Sequence, residues 1–256
     1  MPATRLQRRT FLALAAGTPF LRAQTPDHTT PKSVIPLRTT TAHVQGIDTD
    51  GQHLWVTAVD RPTTKGFLYR FSLPDGRLEQ TIEVKDGPRY HPGGLQLHEG
   101  SLWLPVAEYR RTSTALIQKR NPKTLDIEFQ FPVNDHIGCV AVTPDTIIGG
   151  NWDSREFYVW DHKGNPLRKV PNTTGNSFQD LKFHQGQLVG SGTIPGNKPA
   201  IDWLELPDFK PVRRVTVANT DTGAPLTREG MTIWKDEIWF LPEDGASRLF
   251  QYPLPR

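Results

Sequence analysis

The feature that most constrains this chain is a segment that recurs 48 residues later without a gap. His43, Gly46, Ile47, Leu54, Trp55 and Asp60 reappear as His91, Gly94, Leu95, Leu102, Trp103 and Glu108. A third copy runs from His136 to Asp153, with Val140 in the aliphatic place and Cys139 in that of the glycine. Weaker copies begin at Ser177 and Thr227. The aliphatic anchors Ile47, Leu95, Val140, Leu181 and Met231 are spaced by 48, 45, 41 and 50 residues. Repeats of about 40–50 residues, each holding several short strands, are the mark of propeller blades.

Turn residues divide each repeat into four strands. In the first, Ile47–Thr49, Leu54–Val59, Phe67–Leu73 and Leu78–Val84 are separated by Asp50-Gly51, a loop and Pro74-Asp75-Gly76. The last copy stops after Leu249–Tyr252 and lacks an outer strand. Val34-Ile35-Pro36-Leu37 stands where the outer strand of a preceding blade would be, and Pro36 suits an outermost strand. The expectation is an all-β, five-bladed β-propeller closed by this N-terminal strand, with six blades as the alternative. Closure removes the exposed edges of an open array. Trp55, Trp103 and Trp239 share the strand-two slot and are expected between blades.

The general look resembles soluble propellers of the strictosidine-synthase, gluconolactonase and streptogramin-lyase kind. The stretches His91-Pro-Gly-Gly-Leu95 and Leu102-Trp-Leu-Pro-Val-Ala-Glu108 further resemble an exported family of unassigned function. The resemblance implies architecture and carries no catalytic residues with it.

Residues 1–24 read as a signal peptide and 25–256 as one propeller domain. Arg8 and Arg9 precede an apolar run from Phe11 to Leu21, too short to span a bilayer, and Ala23 offers a small cleavage residue. Arg8, Arg9, Phe11 and Leu12 resemble a twin-arginine export signal, which implies a periplasmic or extracellular protein. Four of the 30 Lys and Arg residues lie in this segment, leaving 26 against 27 acidic residues in the rest. The basic pI of 9.0 is therefore largely the leader's, and no nucleic-acid footprint remains. The expected mature protein is a monomer with no stable membrane span. The single cysteine, Cys139, excludes an internal disulfide and any multi-cysteine metal site. In a glycine's place, it reads as small and buried.

Propeller topology places the start of strand one and the end of strand two on one face, near the axis. His43, His91 and His136 hold the first position; Asp60, Glu108 and Asp153 hold the second. Asn151, Gln179, Glu229 and Glu243 join this region from the same or other blades. Imidazoles with neighbouring carboxylates suit one divalent metal ion, which could activate water. On that reading His43, His91 and His136 are the metal ligands and Glu108 or Glu229 the general base. Asp60, Asn151, Asp153, Gln179 and Glu243 contact a small polar ligand. Metal-assisted hydrolase, lactonase and lyase are the reaction classes. Two other readings stay open: a polar pocket without metal, and histidines that serve the fold in a non-catalytic binding propeller. The carboxylates divide likewise between site roles and pairing with Arg61, Arg110, Arg111 and Arg155. GxSxG, P-loop, GxGxxG and HExxH motifs do not occur.

Overall fold

The computed structural model describes residues 30–245 and 247–255. The segment read as a signal peptide, residues 1–24, lies outside the described residues. The chain begins with an outer strand, β1 (Ser33–Pro36), and then builds blades in order. Blade one is β2 (His43–Thr49), β3 (His53–Asp60), β4 (Lys65–Ser72) and β5 (Arg77–Glu83). Blade two is β6 (Arg89–Pro92), β7 (Gln96–His98), β8 (Ser101–Glu108), β9 (Ala115–Arg120) and β10 (Ile127–Val133), its inner strand broken at Gly93-Gly94-Leu95. Blade three is β11 (Ile137–Val142), β12 (Ile147–Asn151), β13 (Glu156–Trp160) and β14 (Pro166–Pro171). Blade four is β15 (Ser177–His184), β16 (Gln187–Ile194), β17 (Lys198–Glu205) and β18 (Lys210–Thr216). Blade five is β19 (Gly230–Trp234), β20 (Glu237–Leu241) and β21 (Arg248–Pro253), completed by β1.

The molecule is thus a five-bladed β-propeller, and the six-bladed alternative falls. Ring closure is direct: Ser33, Val34, Ile35 and Pro36 pair antiparallel with Gln251, Phe250, Leu249 and Arg248. Five buried clusters fill the five seams between blades. Leu54 and Val56 face blade five's Trp239 and Leu249, while Trp55 between them faces blade two's Leu95 and Leu104. This alternation is the period of two that a strand imposes. Trp55, Trp103 and Trp239 are buried in seams as expected.

Inner strands begin earlier than the hydrophobic pattern predicts, at His43 rather than Ile47 in blade one. A register shift lies between Val44 and Gly46, and equivalents lie between Ile137 and Cys139 and between Phe178 and Asp180. The β-bulge lets pairing continue while re-aiming a side chain, so the apolar alternation ends before the strand does.

The repeated glycine has a steric cause. A Cβ on Gly46 would stand 2.5 Å from the Gly94 Cα, and one on Gly94 2.6 Å from Oδ1 of Asp180. Blades two and three meet through Gly94 N–H to Gly138 O at 2.9 Å and Val140 N–H to Gly94 O at 3.0 Å. At the same position blade four carries Asp180, whose Oδ2 accepts the N–H groups of Ile47 and Met231, both at 3.1 Å. Lys182 donates to Asp180 Oδ1 at 2.6 Å and to Leu95 O at 2.7 Å. Burial pushes the Asp180 carboxyl up to about 7, against the pull of Lys182. Asp48 takes Leu97 N–H and Thr232 Oγ1, and Gln96 Oε1 takes the N–H groups of Val142 and Phe183. These side chains answer backbone donors that have no ladder partner at the axis. They also close it, so the polar cavity at the strand-one end has a floor.

Candidate functional site at the axis

The five positions two residues before the aliphatic anchors are Gln45, Gly93, Gly138, Gln179 and Glu229. Four of them, all but Gly93, line a cavity of about 250 Å³. A Cβ at Gly93 would lie 2.0 Å from the Gly138 carbonyl oxygen, which explains the glycine. His43, His91, His136, Tyr109, Trp152, Asp153, Phe178 and Arg228 form the walls and rim. The three repeated histidines therefore do converge, as the topology requires.

His91 and His136 each have a defined tautomer. Gln45 donates its amide Nε2 to Val44 O at 2.9 Å, which turns Oε1 toward His91. His91 Nε2–H donates to that Oε1 at 2.7 Å. Its Nδ1 then carries a lone pair, and that atom is buried with no hydrogen-bond partner. His136 Nδ1–H donates to Glu108 O at 3.0 Å, leaving Nε2 as the acceptor. The two rings lie 5.2 Å apart. Burial, then repulsion from His136 and His43, holds His91 well below the usual imidazole range. Burial also lowers His136. Both present neutral imidazoles at pH 7.

Aromatic rings complete the wall. Tyr109 lies 4.4 Å from His91, and Trp152 lies 4.6 Å edge-on to His136. Trp152 opens a short 3-10 turn in which Asp153 and Ser154 take φ of 60° and 46°. Two consecutive non-glycine residues in this region are strained, and such strain clusters at ligand sites. Ser154 anchors the turn by donating to Phe178 O at 3.0 Å.

Glu229 stands apart from its four counterparts because it alone is ionisable. It is 3 % exposed, and its one ion pair among the described residues is Arg228 at 3.8 Å. Burial, with Glu243 beside it, raises its pKa well above the ordinary carboxylate value. His43 Nδ1 lies 2.7 Å from Glu243 Oε2, close in distance but without the alignment of a hydrogen bond. Donor atoms of His43, Glu229 and Glu243 all fall within 4.8 Å of one another.

The strand-end carboxylates are engaged at the rim. Glu108 accepts from Arg110 Nε at 2.8 Å and from Thr114 Oγ1 at 2.9 Å. Against the effect of burial, these bonds hold its pKa below the usual value. Only its backbone carbonyl reaches the cavity wall, through His136. Asp153 pairs with Arg111 of the preceding blade at 2.5 Å. Asp60 caps its own loop through Thr63 Oγ1 at 2.6 Å, and Arg61 stacks over Tyr109 instead, 5.0 Å from its centroid. Asn151 also lines the cavity, donating to Asp135 at 3.1 Å and accepting the Glu156 N–H at 3.0 Å. Gln179 lies on the floor. Cys139 is buried, and desolvation pushes its thiol up to about 12, which leaves it inert. Gln45, Tyr109, Trp152 and Arg228 are the site residues that sequence reasoning did not single out. Gln45 had a signal, its place two before an anchor, shared with Gln179 and Glu229.

Residues 64–183 match a family of unknown function, DUF6454. No curated protein sequence matches the chain. Among solved structures, the glutaminyl cyclase of Myxococcus xanthus is similar with a TM-score of 0.66 and 13% identity, covering 87% of this chain and 94% of its own. BamB from Moraxella catarrhalis has a TM-score of 0.47 and 10% identity, covering 86% and 61%. The Pan2 WD40 domain of Neurospora crassa has a TM-score of 0.46 and 12% identity, covering 83% and 66%. The first likeness is one of fold, that of a β-propeller.

Proposed function

We propose that this is an exported propeller whose axial cavity binds a small polar molecule and acts on it by hydrolysis, lactone opening or elimination. The observation that carries the reading is His91. Its ring, fixed by Gln45, lines the cavity that Glu229 also lines, and its Nδ1 is buried without a hydrogen-bond partner. A base held by an orienting group beside a second ionisable group is an arrangement suited to proton transfer. His136 Nε2 and Gln179 supply hydrogen bonds to the ligand, Tyr109 and Trp152 wall it in, and the Glu229 corner is where the reacting group sits. Export rests on the Arg8-Arg9 leader and its apolar run.

A second reading, a binding propeller without catalysis, draws on His136, whose Nδ1–H is spent on the Glu108 carbonyl. Purified mature protein assayed on small lactones, p-nitrophenyl esters and a glutaminyl dipeptide separates the two. The dipeptide enters because the fold relative is a glutaminyl cyclase. Turnover of one class is expected, falling at least about 100-fold in His91→Ala and in Glu229→Gln with circular dichroism unchanged. No turnover of any class, or equal rates in both variants, rejects the catalytic reading.

A further inference from the structure

We propose that His43, Glu229 and Glu243 form a binding site for a divalent transition-metal ion at the edge of the axial cavity. This rests on the same cavity as the catalytic reading but assigns the metal to a donor set other than the three repeated histidines.

Three independent features converge. The donor atoms of these residues lie within 4.8 Å of one another, the one such group of three found among the described residues. Three ligands on one ion at about 2.0–2.2 Å stand roughly 3–4 Å apart, so a small side-chain adjustment reaches that geometry. Glu243 is 56 % exposed on its side chain and free to make it. Glu229, by contrast, is 3 % exposed and faces a second carboxylate, with Arg228 only at 3.8 Å. A buried carboxyl beside another is either protonated or held as the anion by a cation, and Arg228 is mostly turned to solvent, which leaves the place of that cation to be filled. Finally, His43 Nδ1 is a buried nitrogen with no hydrogen-bond partner although a carboxylate oxygen stands 2.7 Å away. A metal between the two satisfies both.

The donor set names the class of ion. One imidazole nitrogen with two carboxylates favours zinc, manganese, iron(II) or cobalt over magnesium or calcium, which prefer oxygen alone. Three protein donors leave a coordination position open toward the cavity, as in catalytic rather than structural sites.

Zn²⁺ and Co²⁺ titrated into chelator-treated mature protein test the site by calorimetry and by the visible absorption of bound Co²⁺. One ion per chain is expected, with affinity falling at least about 100-fold in His43→Ala and in Glu243→Gln, and unchanged in His91→Ala. Glu243 is a rim residue, so Glu243→Gln keeps the fold even where His43→Ala loses it. No binding up to 1 mM, on the order of the weakest specific sites, overturns the proposal. So does binding that survives both variants, or that is lost in His91→Ala with the fold intact. The two readings fail separately. Metal bound by a protein that turns over nothing leaves this site standing without catalysis. Equal turnover by chelated protein and by Glu243→Gln, with no metal bound, leaves the cavity active and removes the ion.

Discussion

Gln45 Oε1 accepts the Nε2–H of His91 at 2.7 Å, and the same amide donates to Val44 O at 2.9 Å. The amide can therefore hold only one orientation, and the imidazole only one tautomer. Gln45 occupies the bulge of its inner strand. One inserted residue thus decides which histidine nitrogen carries the proton and which the lone pair.

Gln45→Ala frees the ring and leaves its N–H unpaired. The expected stability cost is about 1–2 kcal/mol by urea denaturation. Affinity for a turned-over compound should fall about 10–100-fold, as for loss of an orienting partner. ¹⁵N spectra should show His91 moving from one tautomer to a mixture. A variant with wild-type spectra and activity would deny Gln45 this role.

His91 and His136 are held neutral by burial, which gives folding a definite pH dependence. Their folded pKa values lie below the unfolded value of 6.5. In the window between, the unfolded chain binds more protons, so stability rises with pH. The contribution is complete above 6.5 and is lost as pH falls toward the folded values. The slope is at most about 1.4 kcal/mol per pH unit for each group. Denaturant melts between pH 5 and 7 should show His91→Ala with a shallower slope than the parent. An unchanged slope contradicts the assignment.

At the axis, Asp180→Ala removes the acceptor of two blade amides and strands the Lys182 ammonium. A loss of about 3–5 kcal/mol is expected. Replacing both residues, as Asp180→Ala with Lys182→Met, should cost less than the two single changes together. Strict additivity would mean the pair does not act as a unit.

Ring closure predicts that deleting residues 1–37 opens the outer edge of β21 and uncovers the seam that holds Leu37. Leu37 alone is worth about 2–4 kcal/mol. A fall in Tm of about 10 °C is expected, with association through the bare edge. An unchanged Tm and monomeric elution would show that β1 is dispensable.

Much of this architecture is legible in the sequence because identical packing problems recur. Gly46 and Gly94 mark the close approach of inner strands, Trp55 and Trp103 mark seams, and Val34 to Leu37 fill the missing edge. The convergence of His43, His91 and His136 follows from topology alone. Side-chain direction does not. Asp60, Glu108 and Asp153 share a position, yet each is drawn to a nearby hydroxyl or guanidinium at the rim. Gln45 and Glu229 reach the floor through local backbone placement that a hydrophobic pattern does not record. Tyr109 and Trp152 come from loops that differ between blades, so no repeat announces them.

The central claim, that the working surface is the cavity at the strand-one end of the axis, is tested most directly by site-resolved NMR. A compound that the protein turns over is titrated while side-chain signals of Gln45, His91, Trp152 and Gln179 are followed. The account predicts shifts confined to these residues and saturating together. Shifts at Trp234 and Trp239, which line the groove between blades five and one, with the cavity signals unmoved, would contradict it.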